Sequence, residues 1–183
     1  LEKRVAGKIM PINNFVIATE ALSTALLAEI NPRDVAIADS RFVVNYYRLS
    51  ADKRMLFGGG YNYRQNFHAN IARFVRKPML QVYPQLAATR IDYAWGGTLA
   101  VTLNRMPHFG RLGHGIYFAQ GYSGQGVALA SLAGKLIAEA LSGEAENFDL
   151  FGKIPTRSFP GGDLLRWPGL VLGMTYYALR DRF

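Results

Sequence analysis

The chain has 183 residues, half of them hydrophobic, enough for a packed core and against disorder. It contains no cysteine, so disulfides and thiolate metal sites are excluded and a cytoplasmic setting is favoured. The net charge of +8 is dispersed, and its tightest group, Arg73, Arg76 and Lys77, reads as the solvated face of a helix, which argues against nucleic acid as a partner.

In chain order, residues 7–20 read as a long strand with Pro11 near its start, and 21–30 as a short helix closed by Asn31-Pro32. Two strand-like runs, 35–40 and 41–50, are followed by a polar turn at Ala51-Asp52-Lys53 and a returning strand, "RMLFGGG", so 41–60 is predicted as a β-hairpin. Phe67, Ile71, Phe74 and Val75 recur at helical spacing within 66–86, with a break expected at Pro78. A long strand, "TRIDYAWGGTLAVTL", carries a glycine pair at its middle. His108 and His114 have no metal-ligand spacing and are expected in surface loops. A short strand, "GIYFAQ", leads through "GYSGQG" (121–126) into an apolar helix. That helix is predicted to end before Gly143, whose conformational freedom suits a left-handed cap. The terminal run "LLRWPGLVLGMTYYAL" is too short to span a bilayer and contains Arg166 and Pro168, so a packed helix or strap is expected and no membrane. Strands come first with helices mixed in, an α+β pattern.

Four readings compete for "GYSGQG". A dinucleotide fingerprint fails on spacing, because Gly121, Gly124 and Gly126 make G-x-x-G-x-G and no acidic strand end follows. A nucleophile elbow at Ser123 fails on order, since His68, His108 and His114 all precede it. A turn that serves packing only is supported by the small residues of the following helix, Ala128, Ala130, Ala133, Gly134 and Ala138. A cofactor cradle is the fourth reading. A helix N-terminus offers N–H groups and partial positive charge, and glycines let a flat ring approach, as the N1–C2=O edge of a flavin requires.

The segments "YYRLSADKRMLFGGG", "IDYAWGGTLAVTLNRMPHFGRL", "IYFAQGYSGQGVALASLAGKLIAEALSG" and "FPGGDLLRWP" together resemble the C-terminal half of D-amino-acid-oxidase-like FAD-dependent oxidoreductases. The resemblance covers essentially the whole chain. It implies a partial substrate-binding domain over 1–105, with a mostly antiparallel sheet and flanking helices. A C-terminal segment, 106–183, would complete an FAD domain through its strand–turn–helix. It also implies that Gly121, Tyr122, Ser123, Gly124, Gln125, Gly126 and Val127 form the turn on the flavin, with Gly96 and Gly97 near the ring's edge. Tyr46, Tyr47, Arg48 and Trp95 would face the substrate, with core packing as the plainer role for the aromatics. No catalytic residue and no metal ligand is assigned.

The family's amino-acid oxidases place an arginine beside the glycine pair to clasp a carboxylate. "AWGGT" has none, which points to an amine of the γ-glutamylputrescine type, although Arg48 is a rival clasp. The Rossmann part that would hold ADP has no counterpart in the sequence. The chain is therefore expected to be a fragment that alone binds FAD weakly or not at all and partners the missing N-terminal half or another copy of itself. The alternative is a non-catalytic structural or interaction fragment.

Overall fold

The computed structural model describes residues 2–41, 44–62 and 66–180. The elements are α1 (Lys3–Ala6), β1 (Met10–Ala21), α2 (Thr24–Ile30), β2 (Ile37–Ala38), β3 (Tyr46–Leu49) and β4 (Arg54–Asn62). There follow α3 (Ile71–Val82), a 3-10 turn (Pro84–Ala88), β5 (Ile91–Val101), β6 (His108–Leu112) and β7 (Ile116–Gln120). The chain then runs through α4 (Gly126–Leu141), α5 (Glu146–Gly152) and α6 (Gly162–Arg180). It divides into two compact units, Leu1–Ile12 with Leu99–Leu172, and Asn13–Thr98 with Gly173–Phe183.

The larger sheet has the order β2-β3-β4-β1-β5. The expected hairpin is present as β3 and β4, antiparallel with Tyr46 opposite Gly58 and Tyr47 opposite Phe57, while residues 42 and 43 lie outside the described residues. Its turn closes by the Ser50 N–H donating to the Arg54 carbonyl at 2.9 Å, with Lys53 at φ +63°. β1 pairs antiparallel with β4. Alternation puts Phe15 and Ile17 of β1 and Met55 and Phe57 of β4 into one buried cluster with Val75 and Met79 of α3 and with Leu86. Ser23 and Asn70 cap α2 and α3 by accepting from the Leu26 and Arg73 N–H groups.

Pro78 does not break the helix as expected. It lies inside α3, because Val75 and Met79, either side of it, are both completely buried, and that packing offsets the lost backbone bond. Nor is Arg76 merely solvated: it donates to the Thr89 and Ala87 carbonyls at 2.7 and 2.6 Å, tying α3 to the 3-10 turn.

In the other unit, β6 and β7 form an antiparallel hairpin with His108 opposite Gln120 and Leu112 opposite Ile116. Phe109 packs with Ala133, Leu136 and Ala140 of α4 and with Phe148 of α5. α4 ends as predicted. Gly143 adopts φ +100°, its N–H donates to Ala140 O at 3.3 Å, and the Glu144 N–H donates to Glu139 O at 2.9 Å, a Schellman closure. His114 lies exposed in the β6–β7 turn. His108 departs from expectation: it is a strand residue, only 7 % exposed, because its ring packs edge-on to Phe118 and bonds Gln120. The C-terminal helix forms as α6, and along it Leu165, Trp167, Leu172 and Tyr176 are exposed. Among the described residues no helix is long and apolar enough to cross a membrane.

Candidate functional site

The glycine turn connects β7 to α4 through three left-handed residues, Gly121 (φ +71°), Ser123 (φ +52°) and Gly124 (φ +96°). Gly121 is glycine for two reasons, since a Cβ there would also meet Thr102 Cγ2 at 2.4 Å. Ser123 bears its unusual conformation because the strand end holds it. Its N–H donates to Ala100 O at 3.1 Å, and its hydroxyl accepts from the Thr102 N–H and donates to Gly121 O, both at 3.2 Å. Tyr122 turns inward against the hairpin and α4 cluster, and its carbonyl accepts from the Gln125 N–H at 2.9 Å.

Beyond this anchored half the turn is open. Gln125, the residue before α4, makes no side-chain cap bond, and the first-turn N–H groups of Gly126, Val127 and Ala128 have no partner within the helix. A Cβ on Gly124 would meet nothing within 4 Å, and one on Gly126 only Tyr122, at an ordinary 3.7 Å. Val127 is 97 % exposed. Gly126 thus has neither a positive φ nor a crowded neighbour to explain it. An open glycine surface ending in outward N–H groups and the positive helix end fits a flat group that bears or gains negative charge, as a flavin's pyrimidine edge does.

The residues expected to face substrate lie in the other unit. On β3, Tyr46 and Arg48 point to one sheet face and Tyr47 to the other. Tyr47 joins the core, stacked parallel on Phe57 with centroids 5.2 Å apart and edge-on to Tyr83. Tyr46 is 37 % exposed and donates its hydroxyl to Asn14 Oδ1 at 2.5 Å. Burial pushes its phenol pKa up, against the opposing effect of the Asn14 bond. Arg48 is exposed, with Nε donating to Leu49 O at 3.2 Å. Trp95 is exposed. Gly96 is a packing glycine whose Cβ would sit 2.8 Å from Phe15 Cδ1, whereas Gly97 is open.

The run Gly58-Gly59-Gly60 also serves packing. Added Cβ atoms would strike Tyr46, Asn45 and Phe74 respectively. Arginines near β5 are committed. Arg54 bridges Asp52 and Asp92 at 2.6 and 2.5 Å, and Arg90 pairs with Asp92 at 2.8 Å. A groove of about 380 Å³ lined by Gly110, Arg111, Phe148 and Asp149 contains an Arg111–Asp149 ion pair at 2.6 Å. Sequence reasoning missed Thr102, which is 1 % exposed and touches the turn at both Gly121 and Ser123. A single threonine at a strand end, 21 residues before its partner, leaves no local signature.

The profile of the DAO family, described as "FAD dependent oxidoreductase", matches residues 1–140. "Gamma-glutamylputrescine oxidoreductase" of Escherichia coli (strain K12) is 46% identical over 182 residues, which is 100% of this chain and 43% of that protein. "Probable oxidoreductase OrdL" of Haemophilus influenzae is 42% identical over 96% of this chain and 40% of its own length. The chain therefore spans about two-fifths of the curated relatives it matches. Among solved structures, glycine oxidase from Geobacillus kaustophilus aligns with a TM-score of 0.61 at 18% identity, covering 78% of this chain and 38% of that one. L-proline dehydrogenase from P. horikoshii aligns at 0.57 and 23% identity, covering 74% and 36%. At these identities the structural likeness speaks for the fold.

Proposed function

Because this chain belongs to the DAO family of FAD-dependent oxidoreductases, we propose that it forms the substrate-facing and flavin-edge portion of a longer amine oxidase. The substrate in this reading is a primary or secondary amine of the γ-glutamylputrescine type. The compact unit with α4 takes the flavin edge, and the unit with β3 and β4 takes the substrate. When bound, FAD supplies the redox chemistry, accepting hydride from the carbon bearing the amine and returning the electrons to dioxygen as peroxide.

The observation that carries the proposal is the open, uncapped start of α4 at Gly124 and Gly126. The N–H groups of Gly126, Val127 and Ala128 would donate to the pyrimidine edge, and the helix end would favour the charge that builds there on reduction. On the sheet, Tyr46 and Trp95 offer aromatic surface to the aliphatic part of an amine. Arg90 and Arg54 already share Asp92, which supports a substrate without an α-carboxylate; Arg48 is the rival clasp. An α-carboxylate buried without a partner would lose hydration worth several kcal/mol, about a hundredfold or more in kcat/KM.

Peroxide assays on the flavin-loaded protein that carries this segment test the reading. γ-Glutamylputrescine should be oxidised about a hundredfold more efficiently than free D- or L-amino acids. Comparable turnover of a simple amino acid, abolished by Arg48→Ala, would reverse the substrate assignment.

A further inference from the structure

In the half of the glycine turn that faces away from the open surface, Thr102 makes the side-chain contacts, beside the Ser123 N–H bond to Ala100 O. Thr102 follows β5, is 1 % exposed, and meets the turn in three ways. Its N–H donates to Ser123 Oγ at 3.2 Å, its hydroxyl oxygen lies 3.3 Å from the same atom, and its methyl fills the space where Gly121 lacks a Cβ. The Thr102 hydroxyl proton goes to Met106 O at 2.7 Å, and the Thr102 carbonyl accepts from the Arg105 N–H at 3.1 Å. Ser123 therefore supplies the proton between the two hydroxyls or gives it to Gly121 O.

We infer that Thr102 is a positioning residue for the flavin edge, fixing the left-handed Gly121–Ser123 turn and so the aim of the α4 N-terminus; this rests on the flavin reading above. A helix end acts within its first turn, so a small tilt changes how well it favours negative charge on the ring. Removing the Thr102 hydroxyl takes away the donor that ties the Met106 carbonyl to Thr102, which loosens the 102–106 loop's hold on the strand end.

Sulfite is a suitable probe, because it adds to flavin N5 and places negative charge on the N1–C2=O edge. In the flavin-loaded protein, Thr102→Val should weaken sulfite binding about three- to tenfold, and Thr102→Ser should restore it. Amide exchange at 121–125 should quicken in the valine variant. Should Thr102→Val not fold, Ser123→Ala removes the same bridge from the more exposed side and should weaken sulfite similarly. Val127→Asp separates the two levels of the account. If it leaves the flavin spectrum and sulfite affinity unchanged, the turn does not meet the flavin and both readings fall. If it weakens sulfite binding while Thr102→Val or Ser123→Ala leaves it at wild-type strength, the positioning role alone is overturned.

Discussion

Tyr46 on β3 reaches past β4 to donate its hydroxyl to Asn14 on β1 at 2.5 Å, and the position it crosses is Gly58. A Cβ at Gly58 would lie 2.1 Å from Tyr46 Cζ, so the glycine exists for the ring and the ring for the bond. Asn14 is buried, and Tyr46→Phe should cost about 1–3 kcal/mol by leaving its oxygen unsatisfied. Gly58→Ala should push Tyr46 outward and break the same bond. The double variant should then cost about as much as the costlier single one, a non-additivity that urea unfolding of all three variants checks.

Arg54, the first residue of β4, is a hub at one end of that sheet, bonded to Asp52, Asp92 and the Thr19 carbonyl. Its hydrogen bond holds Asp92 below the usual carboxylate range. A lowered folded pKa gives stability that is present above the unfolded value near 3.9 and lost as pH falls through the folded one. Arg54→Met should lower stability at neutral pH and flatten this acid dependence. Denaturant midpoints between pH 2 and 7 give the comparison.

His108 predicts a second, higher window. Burial, with the nearby Lys8 charge, lowers its pKa to about 4. The unfolded imidazole binds a proton near pH 6.5 and the folded one resists it, so this contribution is present above about 6.5 and fades as pH drops toward 4. His108→Gln should remove that slope between pH 6.5 and 4 while retaining a side chain able to bond Gln120. An unchanged slope would assign the effect to other groups.

The fold was legible wherever local pattern and tertiary need agreed. Alternation in β1 and the polar turn between β3 and β4 specify their own pairing, and Gly143 marks the end of α4 by its φ alone. What was not legible was decided by distant partners. Pro78 stays helical because of what Val75 and Met79 bury, and His108 enters a strand because Phe118 and Gln120 receive it. For the candidate site, the glycine turn could be read as a turn and its openness could not. Gly121 and Gly126 look alike in sequence, yet one is filled by Thr102 and the other faces open space.

Gly126 offers the most direct test of the flavin cradle. Its Cβ has room within this chain and its φ is ordinary, so Gly126→Val should fold with a melting temperature close to wild type. In the flavin-loaded protein, however, the added side chain would stand where the ring edge must approach. Overpacking of this kind costs about 1–3 kcal/mol, so FAD affinity, followed by visible flavin absorbance in a titration of the apoprotein, should fall about tenfold or more. A folded Gly126→Val variant that binds FAD with wild-type affinity would contradict the account.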